Sequence, residues 1–239
     1  MALIGHRSPA TGFFVTGTDT GVGKTVVACA LLHAFANRGL RTVGMKPVAA
    51  GATENDAALA NDDVAALRAA STVAAPNDLV NPYCFAPPIA PHIAAAQAGV
   101  EIDLDRLQRA FLGLQALADC VIVEGAGGFL VPLGPDIDMR DLAVRLGLPV
   151  ILVVGLRLGC LNHALLTAES VERAGLRLGG WVANHTDPDM ACIDENVRTL
   201  ESRLRPPLLA RIPYCGTIDA ARVACEINID LLHARPAVR

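Results

Sequence analysis

Short apolar runs alternate with segments of helical periodicity along most of this chain. Residues 12–16 predict a first strand, and residues 24–38 predict an apolar helix that ends at Gly39. Later apolar runs predict strands at residues 41–48, 120–123, 150–154, 180–183 and 208–212. Helices are predicted between most of these strands, at about residues 61–70, 103–117, 139–146, 162–174 and 191–203. The alternation predicts an α/β fold, with a mostly parallel β-sheet and helices on both faces.

The same pattern predicts a simple domain organisation. Residues 1–11 are predicted to form a loose N-terminal leader, and residues 12–239 a single α/β domain. A chain of this length can bury about 70–75% of the surface that it exposes when unfolded, so no second domain is required. The proline-rich residues 81–92 predict a long ordered loop, and long loops in compact domains are often functional.

Composition narrows the class of protein. Hydrophobic residues make up 52% of the chain and aromatic residues only 4%, so we expect an aliphatic core. The longest apolar run, residues 148–156, is much shorter than the roughly 20 residues that cross a bilayer. Residues 1–7 hold no signal-peptide core, so we expect a cytoplasmic protein without a membrane partner. The net charge of −4, with scattered arginines, predicts no nucleic-acid partner.

The cysteines and histidines point to neither zinc nor nucleophilic catalysis. The seven cysteines are widely spaced and form no C-x-x-C pair, and the six histidines show no spacing typical of metal ligands. We therefore expect reduced thiols and no Cys–His nucleophile.

Lysine is rare in this chain. Of the 20 lysine and arginine residues, only Lys24 and Lys46 are lysines. A lysine ammonium is a compact charge with freely rotating donors, so it fits between phosphate oxygens in a tight loop where a planar guanidinium does not. Chance survival of two lysines in an arginine-rich chain is the alternative, but it does not explain the two positions.

Lys24 lies in a glycine-rich segment, GTDTGVGKT at residues 17–25, between the first predicted strand and helix. Such a loop binds a nucleotide because its backbone N–H groups surround a phosphate at a helix N-terminus. Lys24 would then reach the β/γ-phosphates, and the Thr25 hydroxyl would bind Mg²⁺. Five residues separate Gly17 from Gly23, one more than in the common G-x-x-x-x-G-K-[ST] pattern, so this is a variant loop. A simple glycine turn is the alternative.

Magnesium on phosphates requires carboxylates beside the threonine hydroxyl. Glu124 follows the apolar residues 120–123 and is predicted to end a central strand, at the edge where α/β folds bind ligands. Asp63 is a second candidate, although it could be only an acidic residue at a helix N-terminus. Asp62 and Asp56 compete with it.

Several motifs together closely resemble dethiobiotin synthetases. They are FVTGTDT at residues 14–20, VGKT at 22–25, KPV at 46–48, VEGAGG at 123–128, GCLNH at 159–163 and WVAN at 181–184. The resemblance spans about residues 12–215 and implies a P-loop NTPase architecture. It also implies ATP- and Mg²⁺-dependent closure of a ureido ring on 7,8-diaminononanoate, with CO2 or bicarbonate as the carbon source. In that biotin-biosynthesis reaction a carbamate is phosphorylated to a carbamic–phosphoric anhydride, and ADP and phosphate are released.

The resemblance also assigns roles to residues. Lys46, Lys24 and Thr20 would be catalytic, with Lys46 holding the carbamate and the transferring phosphoryl group. The resemblance also selects Asp63 as the carboxylate that binds Mg²⁺ together with Thr25 and Glu124. The nucleotide would contact Gly21, Val22, Gly23, Lys24, Thr25, Val26, Asp63, Glu124, Gly125, Ala126, Gly127, Asn184, His185, Pro213, Tyr214 and Cys215. The substrate would contact Ala50, Gly159, Cys160, Leu161 and Asn162.

The turn at residues 159–162 implies a homodimer with shared sites, because in the family it holds the substrate carboxylate of the neighbouring subunit. Without the resemblance, Asn162 would be only a helix cap. Two positions depart from the family. Ala50 replaces a hydroxyl residue that commonly contacts the substrate, and Gly21 replaces an acidic residue found in some members.

Two related enzyme classes are alternatives. Partitioning-type P-loop ATPases carry an additional lysine near the start of the loop, which this chain lacks. Cobyrinate-type amidoligases normally carry a glutaminase domain, for which 239 residues leave no room. A non-catalytic nucleotide-binding module would not need Lys46.

Overall fold

A computed structural model describes residues 11–55, 58–216 and 218–233. The predicted leader lies outside the described residues except for Thr11, where the first strand begins. Asp56 also lies outside them.

Helices separate the strands of the main sheet along the chain, as the apolar pattern predicts. The strands are β1 (Thr11–Gly17), β2 (Thr42–Met45), β3 (Val48–Ala50), β4 (Thr53–Asn55), β5 (Ala58–Ala60), β6 (Tyr83–Phe85), β7 (Cys120–Gly128), β8 (Val150–Leu156), β9 (Leu178–His185) and β10 (Leu208–Ile212). The helices are α1 (Lys24–Ala36), α2 (Asp62–Ala70), α3 (Asn77–Val80), α4 (Pro91–Gln97), α5 (Leu104–Leu117), α6 (Met139–Leu146), α7 (Cys160–Arg173), α8 (Ile193–Arg203) and α9 (Ala220–Glu226), followed by a 3-10 helix (Ile229–His233).

The main sheet has six strands in the order β10-β9-β8-β1-β7-β2, and every neighbouring pair is parallel. Two small sheets, β3 with β6 and β4 with β5, lie outside it. The predicted α/β class with a mostly parallel sheet is confirmed. Because all six strands run the same way, their carboxyl ends meet at one edge, where ligands bind in open α/β sheets.

Alternate residues of the central strands enter two separate cores. Phe14 and Val123 belong to the core that α5, α6, α7 and α8 cover, whereas Phe13 and Ile122 belong to the core that α1 and α9 cover. Successive side chains of a strand point to opposite faces, so a strand covered on both faces is apolar throughout. This explains why the strands appear in the sequence as continuous aliphatic runs.

The sequence predicts one strand at residues 41–48, but the structure has two there, β2 and β3. At Lys46 the backbone leaves β7 and bonds to the end of α3: the Lys46 N–H donates to the carbonyl of Val80, the last residue of α3 (2.8 Å), and Nδ2 of Asn81 donates to the Lys46 carbonyl (2.6 Å). The next residue, Pro47, has no N–H with which to continue the ladder. The Lys46 side chain is thereby fixed directly beyond the carboxyl end of β2.

The prediction of one long loop at residues 81–92 is wrong. The segment contains β6, which pairs with β3 through Val48 and Tyr83, and α4 begins at its end with Pro91. A proline at the first turn of a helix costs no hydrogen bond, so its presence there does not indicate a loop. No helix among the described residues is long and apolar enough to cross a bilayer.

Candidate active site

The loop between β1 and α1 has the geometry of an anion site. Gly21 and Gly23 have positive φ angles of 74° and 91°, and Gly23 precedes the first residue of α1. Among the described residues, no side chain caps this helix and no acidic residue lies in its first turn. The N–H groups of that turn therefore remain available to an anion, which the helix dipole also favours.

Lys24 lies over this loop. Its ammonium donates to the backbone carbonyl of Asp19 (2.9 Å), and the residue is only 6% exposed. Burial, together with repulsion from Lys46, lowers the pKa of Lys24 to about 8. A buried ammonium whose partner is a neutral carbonyl would be stabilised strongly by an anion in the loop.

Four side chains from different elements meet beside Lys24. The ammonium of Lys46 lies 2.6 Å from Glu124 Oε1 and 2.7 Å from Asp63 Oδ2. The hydroxyl oxygen of Thr25 lies 2.8 Å from Asp63 Oδ1 and 2.9 Å from Glu124 Oε1, and its single proton is donated to one of them at a time. We call these four residues the Lys46 cluster. Lys46 and Glu124 are 4% and 1% exposed and so are shielded from water, whereas the Asp63 side chain is 40% exposed.

Burial and pairing act in opposite directions on the pKa values of the cluster. Burial disfavours the ammonium of Lys46, but the Glu124 and Asp63 carboxylates outweigh this effect and raise the lysine pKa. Burial raises the pKa of Glu124, and the favourable contact with Lys46 offsets it only in part. Asp63 is more exposed, so Lys46 overcomes the effect of burial and lowers the pKa of that carboxyl.

Asn61 determines which aspartate enters the cluster. Its side-chain oxygen accepts from the N–H groups of Asp63 (3.1 Å) and Val64 (3.3 Å), so it caps α2. With the helix started there, Asp63 faces Lys46 whereas Asp62 is exposed. Asp63 is therefore more than an acidic residue of the first helical turn.

The cluster fits a hard divalent cation. The atoms of the cluster that could bind a metal are all oxygens, from one hydroxyl and two carboxylates. This is the donor set that Mg²⁺ prefers. Glu124 Oε2 is buried and has no hydrogen-bond partner among the described residues. A buried carboxylate oxygen without a partner is costly, and a cation would satisfy it.

The prediction that the strand ends at Glu124 is wrong, because β7 continues to Gly128. Its register with β1 shifts immediately after the pair formed by Val15 and Glu124. Beyond this shift Gly127 has a φ of 62°, and a Cβ added to it would lie 3.6 Å from the Thr20 hydroxyl. The glycines after Glu124 therefore bring β7 against the loop that carries Thr20.

Asn184 lies near the end of β9 and contacts the phosphate loop. Its Nδ2 donates to the Val22 carbonyl (2.8 Å), and its Oδ1 is buried without a partner among the described residues. Next to it, the His185 and Tyr214 rings meet edge to face, with centroids 5.7 Å apart. A pocket of about 600 Å³ includes His185 and Pro213 in its lining. The structure thus brings residues 184–185 together with residues 213–214, while Cys215 beside them is exposed.

The segment at residues 159–162 opens α7, which begins at Cys160 rather than at residue 162. Gly159 precedes the helix with a φ of 96°, and no side chain of the described residues caps it. The interpretation of Asn162 as a helix cap is therefore wrong, since its exposed side chain lies inside the first turn. Cys160 is buried, and Leu161 is partly buried.

Sequence reasoning missed two contacts that position the site. Arg157, just before the turn that opens α7, forms an ion pair with Asp19 of the phosphate loop. Asn81 holds the backbone carbonyl of Lys46. Both contacts join residues far apart in the chain, and no local pattern indicates them. Ala50, predicted to contact substrate, ends β3, and its carbonyl accepts a long hydrogen bond from Asn61 Nδ2 (3.4 Å).

Comparisons with known proteins show the family of this chain. A family model described as an AAA domain matches residues 11–222. The ATP-dependent dethiobiotin synthetase BioD of Aromatoleum aromaticum is 54% identical over 217 residues, which are 91% of this chain and 96% of that protein. The protein of the same name from Nitrosospira multiformis is 57% identical over 218 residues, 91% of this chain and 95% of that protein.

Two solved structures share the fold. One is the septum site-determining protein MinD with Mg-ADP from Pyrococcus horikoshii, with a TM-score of 0.54 and 16% identity over 93% of this chain and 88% of that chain. The other is a ParA family ATPase from Chlorobium tepidum, with a TM-score of 0.52 and 15% identity over 87% of this chain and 86% of that chain. At this identity the likeness shows the fold alone, and it confirms the predicted P-loop NTPase architecture.

Proposed function

This chain belongs to the dethiobiotin synthetase family, and we propose that it is the ligase that forms dethiobiotin with ATP. The substrates would be 7,8-diaminononanoate and CO2 or bicarbonate. The observation that carries the proposal is the Lys46 cluster, in which a buried ammonium contacts the two carboxylates that, with the Thr25 hydroxyl, would hold a metal beyond a phosphate loop. Transfer of a phosphoryl group to a carboxylate-like acceptor requires that combination.

The reaction that we propose has three steps. One amine of the substrate adds to CO2 and loses a proton, which gives a carbamate. A carbamate oxygen then attacks the γ-phosphorus of ATP, and ADP leaves. The second amine finally attacks the carbonyl carbon of this anhydride and loses a proton, the bond from that carbon to the phosphate oxygen breaks, and phosphate leaves as the ring closes.

Electrostatic repulsion is the main obstacle to the second step, because carbamate and triphosphate are both anions. Thr25, Asp63 and Glu124 would hold Mg²⁺, which when bound would neutralise charge on the phosphate oxygens. Lys24 would bind the β/γ-phosphates and Lys46 the carbamate, with the Thr20 hydroxyl near the γ-phosphate. Both ammonium groups are buried, so their attraction for anions is little screened by water.

For the nucleotide base, we propose a site at the ends of β9 and β10. Asn184 Oδ1 has no partner among the described residues and is a hydrogen-bond acceptor, which suits the exocyclic amino group of adenine. The neighbouring His185 and Tyr214 rings, with Pro213 and Cys215, would contact the base and ribose. The loop residues 21–26 and 125–127 would complete the nucleotide site.

We propose that the site is shared between two copies of the chain. The turn at residues 159–162, in which Gly159 and Asn162 are exposed, has N–H groups without side-chain caps at a helix N-terminus, which would suit a substrate carboxylate from the neighbouring subunit. Ala50 has no hydroxyl to offer, so any contact of that residue with substrate would be made through its backbone.

Neither alternative class is favoured. The two relatives described above, at 54% and 57% identity, are named ATP-dependent dethiobiotin synthetases. The MinD and ParA structures share the fold at about one quarter of that identity, so they do not support a positioning switch.

The test is a product assay with the purified chain, ATP and Mg²⁺. Diaminononanoate and bicarbonate are added singly and together, and phosphate release is compared with dethiobiotin formation by mass spectrometry. We expect phosphate and dethiobiotin in equal amounts, and only when both substrates are present. Phosphate release that is independent of the diamine would contradict the proposed function.

A further inference from the structure

Three of the four carboxylate oxygens in the Lys46 cluster already have partners. Thr25 contacts Asp63 Oδ1, Lys46 contacts Asp63 Oδ2, and both contact Glu124 Oε1. Glu124 Oε2 is the remaining oxygen, buried and without a partner among the described residues. A cation liganded by both carboxylates therefore needs at least one oxygen that another group holds.

The Lys46 ammonium cannot keep both of its contacts beside such a cation. It lies 2.7 Å or less from one oxygen of each carboxylate, and Mg²⁺ would lie about 2.1 Å from its own ligand oxygens. The two positive centres would then be only a few ångströms apart in a buried site, where repulsion is poorly screened. The charges of the site lead to the same conclusion. The two ammonium groups of Lys24 and Lys46 already neutralise the two carboxylates, so a divalent cation would add positive charge that nothing in the cluster balances.

We propose that the ammonium of Lys46 competes with the divalent cation for the carboxylates of Asp63 and Glu124. Without nucleotide, Lys46 holds the carboxylates and the metal binds weakly. With nucleotide, the phosphates supply the missing negative charge and further oxygen ligands, so the metal displaces the ammonium. If the chain has the proposed function, this displacement frees Lys46 to bind the carbamate. Binding of the metal and the availability of Lys46 are then coupled.

The first test measures Mn²⁺ binding without nucleotide by electron paramagnetic resonance. Lys46→Met removes the competing ammonium but keeps a side chain of similar length. Lys24→Met is the matched control, because it removes the same charge from the same site although its ammonium contacts the Asp19 carbonyl and not the carboxylates. We expect Lys46→Met to bind Mn²⁺ at least about thirtyfold more tightly than the wild type, and Lys24→Met less than about fivefold more tightly.

The second test uses the unmodified protein, so it does not depend on the folding of a variant. Because the chain has only two lysines, ¹³C-labelled lysine gives two ε-methylene signals, which Lys24→Met assigns. We expect added Mg²⁺ to shift the Lys46 signal in the ADP complex, and Mg²⁺ alone to leave it unchanged at the same concentration.

Equal tightening of Mn²⁺ binding by the two variants would overturn the proposal, because it would show a general effect of charge. An unmoved Lys46 signal on addition of Mg²⁺ to the ADP complex would overturn it as well. Neither measurement involves turnover. A protein that forms dethiobiotin but fails these tests would therefore retain the proposed function and lose only the competition.

Discussion

Lys24 and Lys46 have the same side chain in opposite environments. Lys24 has a neutral carbonyl as its partner, and burial with a neighbouring positive charge lowers its pKa to about 8. Lys46 is more buried but lies between two carboxylates, which raise its pKa. The first ammonium therefore has most to gain from a bound anion, whereas the second is already neutralised.

This difference predicts a pH dependence of nucleotide binding. In the free protein Lys24 is half protonated at about pH 8, and phosphates in the loop would raise its pKa again. Binding of ADP should therefore take up a proton above about pH 8, and affinity should fall by up to about tenfold per pH unit. Calorimetry at pH 9 in two buffers of different ionisation enthalpy measures the uptake. Lys24→Met is the control, and equal uptake in both proteins would refute the assignment.

The same shift affects stability with a defined sign. An unfolded lysine titrates at 10.5, so between about pH 8 and 10.5 the unfolded chain binds more protons than the folded one. The Lys24 contribution to the free energy of unfolding therefore rises with pH across this window and is unfavourable below it. Burial raises the pKa of Cys29 and Cys120 from 9.0 to about 12, which gives the opposite slope between about pH 9 and 12 and so overlaps the upper part of the lysine window. Comparison with Lys24→Met isolates the lysine.

At the scale of elements, the phosphate loop depends on glycine for two distinct reasons. Gly23 and Gly21 both have positive φ, which costs any other residue about 1–2 kcal/mol. Only Gly23 also faces a neighbour, since a Cβ there would lie 2.3 Å from Asn184 Nδ2. No described atom lies within 4 Å of a Cβ on Gly21. One glycine serves backbone conformation alone, and the other also leaves room for the contact between β9 and the loop.

We therefore predict different effects for Gly23→Ala and Gly21→Ala. Gly21→Ala should lower the melting temperature by only a few degrees, as about 1–2 kcal/mol does in a domain of this size. Gly23→Ala carries the same backbone cost and in addition pushes Asn184 off the Val22 carbonyl, so it should weaken ADP binding at least about tenfold more than Gly21→Ala does. Calorimetric titration with ADP and thermal melting of both variants check this. Equal losses would show that the close approach of Asn184 is unimportant.

The elements that the sequence predicts are those with a long local signal. The strands of the main sheet and the longer helices are predicted correctly from the sequence. Both faces of the sheet are covered, so the strands are continuous aliphatic runs that are separated by the helices. β3 and β6 are missed because three residues show no periodicity and because Val48 pairs with Tyr83, far along the chain. The start of α7 is misplaced because Gly159 provides a positive φ there instead of a capping side chain.

At the scale of the whole molecule, the parallel strand order assembles the site. The carboxyl ends of β1, β2, β9 and β10 carry the phosphate loop, Lys46, Asn184 and Pro213, so their meeting at one edge follows from the predicted fold. Glu124 lies inside β7, where its register with β1 shifts. The choice of Asp63 depends on how α2 packs and is capped by Asn61, which residue spacing does not determine. The ion pair between Arg157 and Asp19 joins positions 138 residues apart, so the sequence around neither residue indicates it.

The proposed homodimer gives the last prediction. Leu158 is 97% exposed and lies beside Gly159, at the turn proposed to reach a neighbouring subunit. A single exposed leucine is common on protein surfaces, but burial of this one against a second copy would stabilise the pair by about 1.5–3 kcal/mol. Leu112 on α5 is 53% exposed and offers a matched position on another helix.

Leu158→Glu should therefore shift the protein from dimer to monomer in sedimentation experiments, while Leu112→Glu should leave the dimer intact. A glutamate in place of Leu158 would have to be desolvated at the interface but would remain fully hydrated in the monomer. Circular dichroism should show that the fold of the Leu158→Glu monomer is retained. If the turn binds the carboxylate of a substrate held by the other subunit, the KM for the diamine should rise in Leu158→Glu, whereas the affinity for ADP should not change. A dimer that persists in Leu158→Glu would contradict an interface at this turn. A rise in KM without dissociation would mean that the turn acts within its own subunit.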